Sequence, residues 1–550
     1  MRPLIAILLL PAAHGQTLPG VDPRLPEAPV IESLPAVRGA GGEIDAGEVL
    51  VESLRRIILI SPGGEDAADV GPGLSASGSL VLPSPRTLAS RLRPWLGRPL
   101  TSGGLAALAD EILIHYDGEG FPVVAVEAPE QDLSGGSLKL MLEIGRYGDV
   151  GVSRPKHGDP AVIQKGLLLR KGELVRRSEI DEQMAWYGRS IFRRPRLFVS
   201  PGLEPATADL LIAFEEKRPW RVTTGYENSG PDLLGRDRFL LGVAGVTPND
   251  HLLAWQSVIG MPASSLWANA LRWEIPFHGN HQLLQLDAAY AKVSSRYISN
   301  GIPVDSTGSS WAFTAMQKIP LPGFDGWRQT IGAGLEVKGT DQFLLFDSFK
   351  SLSPGEVVFV QGKISHEMTR AWEKGGASFE SSLVAAPGGI GGSNSDSAFS
   401  AYDPQASASY IIGRIRGEGW WSPVGDWQLR LRGEAQLSSD HLLPAEQFAA
   451  GGYQSVRGVA EREYVGDNGW QTSLELYSPL ISPGKGVAFR LLAFFDYAGL
   501  ENVGGASTSL SGTGLGIRLK MTDRVDLRLD HGWRIDETEN RSHFGVNLTF

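Results

Sequence analysis

Gly451–Val459 reads GGYQSVRGV. In water such a run is a loop: two glycines, a polar pair, then an arginine followed at once by another glycine. Its neighbours give it more meaning. Trp427–Ser438 (WQLRLRGEAQLS) before it and Trp470–Pro479 (WQTSLELYSP) after it alternate apolar and polar residues, the period of a β-strand. A later segment of the same kind, Val487–Asp496 (VAFRLLAFFD), ends on an acid. The expectation is that Arg457 heads a loop folded into the lumen of a membrane β-barrel. Asp496 would receive it, since Asp496 shares parity with Arg490 and points inward if Phe489, Leu491 and Phe495 face lipid.

Alternation extends in both directions from this stretch. From about residue 218 to the last residue helical periodicity is absent and strand-like segments follow one another. In Val525–Asp530 (VDLRLD), Val525, Leu527 and Leu529 oppose Asp526, Arg528 and Asp530; in His543–Phe550 (HFGVNLTF) the apolar residues share a face and the chain ends on Phe550. An antiparallel sandwich alternates in the same way, so alternation does not choose between the two. Connection lengths do. About sixteen strands are joined by short turns, such as Thr247–Asp250, that interleave with long Gly/Ser-rich loops, such as Ala386–Gln405 and Ser439–Asn468. Long loops on one side and short turns on the other mark an outer-membrane barrel.

Upstream the pattern changes. Two consecutive units of the order strand–helix–helix–strand–strand are expected, over residues 51–146 and 147–217, and both are small α/β domains. Ahead of them, residues 16–50 carry Pro19, Pro23, Pro26, Pro29 and Pro35 and form a Pro-rich linker. Residues 1–15 combine an early cation at Arg2, an apolar run from Leu4 to Leu10 and small residues at Ala13 and Gly15, the pattern of a secretory signal peptide. The expected fold class is therefore α+β followed by all-β, with the barrel over residues 218–550.

Composition sets limits on chemistry. The 550 residues contain no cysteine, which excludes thiolate metal sites and cysteine nucleophiles. A net charge of −11 argues against nucleic acid as a partner. There is no G-x-x-x-x-G-K-[ST] for a nucleotide. His278 and His281 lie in an expected turn without a third ligand, and Gly73–Gly78 (GLSASG) lacks the strand–helix elbow of a hydrolase. No enzyme, cofactor or metal is expected.

Taken together, the chain resembles the TpsB transporters of two-partner secretion, relatives of the BamA-type barrel-assembly proteins. GGYQSVRGV looks like the family's lumen-loop motif, with Val456, Arg457 and Gly458 at the V-R-G positions. Phe494–Gly499 (FFDYAG) looks like its inward strand motif with Asp496 as the acid, although Ala498 stands where the family pattern has glycine. The resemblance implies two periplasmic POTRA domains and a 16-stranded antiparallel transmembrane β-barrel in the bacterial outer membrane. It also implies a plug within residues 16–50, and Phe550 as the C-terminal signal for barrel assembly. The implied partners are one large secreted β-helical exoprotein of the TpsA type (an adhesin or haemolysin), outer-membrane lipid, and the barrel-assembly machinery and periplasmic chaperones during biogenesis. The client is expected to pair, unfolded, along POTRA sheet edges, at Leu138, Leu140 and Leu142 and at Leu210, Ile212 and Phe214. It would then cross without ATP. A barrel-assembly insertase is the alternative, disfavoured because only two such domains are visible.

Overall fold

Sixteen antiparallel strands close into a barrel between Trp220 and Thr549. The first, Trp220–Glu227, pairs with the second, Arg238–Val246, and also with the last, Asn540–Thr549. Phe550 continues this seam through backbone hydrogen bonds in both directions with Val222. The computed structural model describes residues 30–31, 47–64, 67–299, 302–346, 350–352, 355–484, 486–505, 507–522 and 524–550. The expected signal peptide and most of the Pro-rich linker lie outside the described residues. The chain divides into two compact units, one largely upstream of Arg218 and one largely from Arg218 onward.

Within the barrel, the alternation is inverted relative to a water-soluble sheet. Trp267, Leu271, Phe313, Ile415, Leu431 and Leu491 are exposed, while Gln256, Glu336, Gln361, Glu475, Asp496 and Asp530 are buried. An exposed apolar girdle around a buried polar interior is the informative departure from ordinary burial, and it chooses the barrel over the sandwich. Because the number of strands is even, the first strand begins and the last strand ends on the same side. The connection after the eleventh strand, Gln428–Ser438, therefore opens on the opposite side.

Besides the short pair Val49–Val51/Leu100–Thr101, the upstream unit contains two larger sheets among the described residues. The first is ordered Ala67–Gly71, Leu74–Ser77, Arg56–Ile60, Ser137–Ile144, Val124–Glu127. Helices Pro85–Leu92 and Ser102–Gly118 contribute Leu88, Leu92, Leu108 and Ile112 to its core. Thr101 caps the second helix, its hydroxyl accepting from the Gly104 amide at 2.9 Å. The hairpin Ala67–Gly71/Leu74–Ser77 places the LSAS of GLSASG in a strand. The second sheet is ordered Val30–Ile31, Arg193–Pro201, Thr207–Glu216, Arg146–Val152, with helices Pro160–Lys165 and Arg177–Gly188. Residues 159–169 are helical only to Lys165 because the chain turns at Gly166.

This topology corrects the expected client edges. Ser137–Ile144 pairs with Arg56–Ile60 on one side and Val124–Glu127 on the other, and Thr207–Glu216 lies between Arg193–Pro201 and Arg146–Val152. Both are interior strands. Leu138, Leu140, Leu142, Leu210 and Ile212 point into the two cores and are buried. Phe214 packs on the Tyr187 ring at 5.3 Å under the Arg193 guanidinium. These six side chains hold the sheets to their helices, because alternation on a buried face looks the same at an edge and in the interior.

Candidate functional site in the barrel lumen

The loop from residue 439 to 467 is a finger with an ordered neck. Phe448–Ala450 pairs antiparallel with Tyr464–Gly466, and the tip between them carries the GGYQSVRGV stretch. The tip is folded on itself: the Gly451 amide donates to the Ser455 hydroxyl at 3.2 Å and the Tyr453 amide to the Glu461 carboxylate at 3.2 Å. Gly458 has φ +117°, a conformation closed to residues with a Cβ. Val456 and Val459 are fully buried against Phe448, Ala450, Ala498, Leu500 and Leu510.

Arg457 is 1 % exposed and is the bulkiest fully buried side chain among the described residues. Its guanidinium makes a two-point pair with Asp496, Nε to Oδ2 at 2.8 Å and Nη2 to Oδ1 at 2.8 Å. The Arg457 backbone amide donates to the same carboxylate at 3.1 Å. Nη1 donates to Glu475 at 2.7 Å, and Nη2 also donates to the Ser473 hydroxyl at 3.0 Å. Asp530 stands 3.8 Å from Nη1, and the Phe494 ring lies under the guanidinium carbon at 3.5 Å. The planar fork of arginine suits this fan of acceptors, and a lysine has no equivalent.

Parity builds the seat. Ser473 and Glu475 are two apart on the twelfth strand, Asn468–Tyr477, and Phe494 and Asp496 are two apart on the thirteenth, Val487–Glu501. The register places Ser473 opposite Asp496 and Glu475 opposite Phe494, so all four face the lumen together. Leu491 and Phe495 are exposed. Asp530, on the fifteenth strand, also receives Arg518 at 3.0 Å, and Glu475 also receives Arg432 at 3.3 Å and the Tyr477 hydroxyl at 2.9 Å. A carboxylate deprived of water needs such partners. Sequence reasoning named Asp496 but missed Glu475, Ser473, Asp530 and Phe494 as ligands of Arg457. Their inward parity was readable; which of many inward polar residues would meet the loop was not.

The finger's base packs among further loop residues. Phe399, Tyr402, Leu442 and Leu443 form a buried cluster with Val357, Phe359 and Tyr410. His441 bridges two segments here, Nδ1 to Asp467 at 2.7 Å and Nε2 to Asp403 at 3.1 Å. Burial opposes charge on this imidazole, but its hydrogen bonds to Asp403 and Asp467 outweigh that and raise its pKa above the ordinary histidine value. Among the described residues no group of three or more His, Cys, Asp or Glu is placed to hold a metal ion.

Residues 382–519, which include the whole finger and its seat on the twelfth and thirteenth strands, match the family described as haemolysin secretion/activation protein ShlB/FhaC/HecB. Residues 75–145 match the ShlB-type POTRA domain. Both matches point to the TpsB transporters as the proteins this chain resembles. This chain is 22% identical over 476 residues to the outer membrane transporter CdiB of Escherichia coli, covering 80% of this chain and 75% of that one. It is 25% identical over 174 residues to the outer membrane transporter CdiB-2 of Burkholderia pseudomallei, a match spanning 31% of this chain and 30% of the relative. In fold it resembles the solved CdiB from Escherichia coli, with a TM-score of 0.73 at 17% identity over 96% of this chain and 94% of the other. It sits in the outer membrane, its POTRA region on the periplasmic side.

Proposed function

We propose that this chain carries one large, mostly β-helical TpsA-type protein from the periplasm to the cell surface through its barrel, without ATP. The observation that supports this most is the Arg457 seat. A finger held in a lumen through a buried charged fork is an occlusion that can be withdrawn, unlike a wall residue. The relatives named above are themselves described as outer membrane transporters, which favours the same direction of reading. In this reading residues 51–146 and 147–217 are the two POTRA domains. They receive the client unfolded, as an extended chain adding backbone hydrogen bonds along a sheet edge. In the first sheet the outermost strands are Ala67–Gly71 and Val124–Glu127, which makes them the places to look. The client's own folding outside the cell then draws it across. Val456, Arg457, Gly458 and Asp496 set the resting position of the finger, and Phe550 belongs to the strand pairing that closes the barrel.

The test is secretion of the candidate client by cells carrying wild type, Arg457→Ala, or a chain lacking residues 16–217 but keeping residues 1–15. The expected outcome is that both variants reach the outer membrane while the client stays in the periplasm. Continued secretion without residues 16–217 would overturn client docking and favour a barrel-assembly role.

A further inference from the structure

The finger carries a second buried charge, of opposite sign to Arg457, eleven residues earlier. The Glu446 side chain is 0% exposed. It pairs with Lys338 on the seventh strand, Trp327–Phe346, and with Arg414 on the tenth, Ser409–Trp421, at 2.8 Å. Gln361 on the eighth strand, Val357–Trp372, donates to the same carboxylate at 2.5 Å and to the Tyr410 hydroxyl at 2.6 Å. The Glu446 backbone carbonyl accepts from Gln436 of the eleventh strand at 2.9 Å. Four wall strands thus converge on one loop residue. This seat belongs to the seventh, eighth, tenth and eleventh strands, whereas the Arg457 seat belongs to the twelfth, thirteenth and fifteenth.

We infer that Glu446 is a second, releasable latch, and that the finger is held across the lumen by two charge pairs of opposite polarity. Burying a lone carboxylate costs several kcal/mol unless it is matched, so a fully buried glutamate on a loop requires a built seat. The wall side of this seat is provided with substitutes. Lys338 also contacts Glu336 at 3.1 Å, and Arg414 also donates to Gln436 at 2.8 Å. When Glu446 leaves, both cations keep a partner and the carboxylate regains water. That makes departure reversible. It also means that losing Arg457 alone frees the tip of the finger but leaves its base held by Glu446. The inference rests on the transport reading only for what release accomplishes; the holding itself needs no client.

The chain has no cysteine, so one introduced thiol reports cleanly. Ala450 is fully buried and lies between the two latches. The experiment measures the rate at which Ala450→Cys reacts with a membrane-impermeant maleimide in intact outer membranes, in the parent and with Glu446→Gln or Glu446→Asp added. Glu446→Gln is expected to speed labelling by roughly a hundredfold or more, the scale of losing one charge from a buried pair. Glu446→Asp is expected to return part of the protection. Correct assembly is read from the difference in gel migration between unheated, folded and heated, unfolded barrel. Equal labelling of parent and Glu446→Gln in folded barrels overturns the inference. Should Glu446→Gln not assemble, Lys338→Gln weakens the same latch from the wall, and equal labelling there also overturns it. The labelling is done without a client, so it tests the latch alone. Faster labelling of Glu446→Gln together with unchanged secretion in the separate client assay supports the latch and counts against the transport reading.

Discussion

Gly532 faces the carbonyl group of Arg457 so closely that a Cβ on Gly532 would stand 2.4 Å from both the carbon and the oxygen. Gly512, on the neighbouring strand, lies under the same oxygen, its Cβ position 2.7 Å away. The finger therefore rests on bare backbone, and any side chain there meets main-chain atoms that have no room to yield. Gly532→Ala is expected to lift the Arg457 tip from its seat and raise the fraction of time the pore is open in planar-bilayer recordings. Gly413→Ala, where a Cβ meets nothing within 4 Å, serves as control and should record like wild type. Equal behaviour of the two variants would count against the bare-backbone seat.

Arg457→Lys tests whether charge alone holds the tip. A lysine can reach Asp496 or Glu475, but it cannot pair bidentately with Asp496 while also reaching Glu475 and Ser473. Losing one partner of a desolvated pair costs about 3–5 kcal/mol. We expect Arg457→Lys to open nearly as often as Arg457→Ala in single-channel recordings. Full retention of wild-type closure by lysine would show that the fork geometry is dispensable.

Leu140→Ala should unfold its domain rather than selectively impair client binding. The side chain is 1% exposed between Ile57, Leu59 and the helices, and truncating such a leucine costs about 2–5 kcal/mol. Limited proteolysis of the full-length protein should cut residues 51–146 at a lower urea concentration than in wild type. Intact protease resistance with lost client binding would restore the leucine to a docking role.

The contrast between Arg457 and Leu140 indicates how far the sequence could be read. Arg457 stood out because a strand-breaking glycine loop has little use for a buried cation unless an acid waits, and Val487–Asp496 supplied one on a readable parity. Leu140 sits in an equally clean alternation, but parity reports only which face a residue takes. It is silent on whether a further strand lies alongside, and that depends on partners distant in sequence such as Arg56–Ile60. Glu446 was hidden for a related reason. In the run LLPAEQFAA (residues 442–450) it resembles a solvated loop acid, and its four partners come from strands as far back as Lys338.

His441 makes the outer end of the finger sensitive to pH. Its folded-state pKa is raised, so the tie it makes is complete below the ordinary histidine value of 6.5 and is lost as pH rises through the higher folded value. Hydrogen exchange in residues 396–408 should therefore accelerate as pH is raised from about 6 to about 9, beyond the intrinsic increase, and His441→Gln should remove that excess. An unchanged excess in His441→Gln would show that another group governs the segment.

The girdle of Trp267, Leu271, Phe313, Ile415, Leu431 and Leu491 also bears on how the molecule comes into being. These side chains stay exposed in the finished barrel, and water offers them nothing in exchange for the entropy of ordering sixteen strands. The polar interior cannot supply the deficit, because its charges only balance one another. The closed form thus has no counterpart in the aqueous periplasm, where a half-zipped sheet would instead present open edges to its neighbours. Lipid is a reactant in the folding of this chain, and the barrel's stability is a property of protein and bilayer jointly.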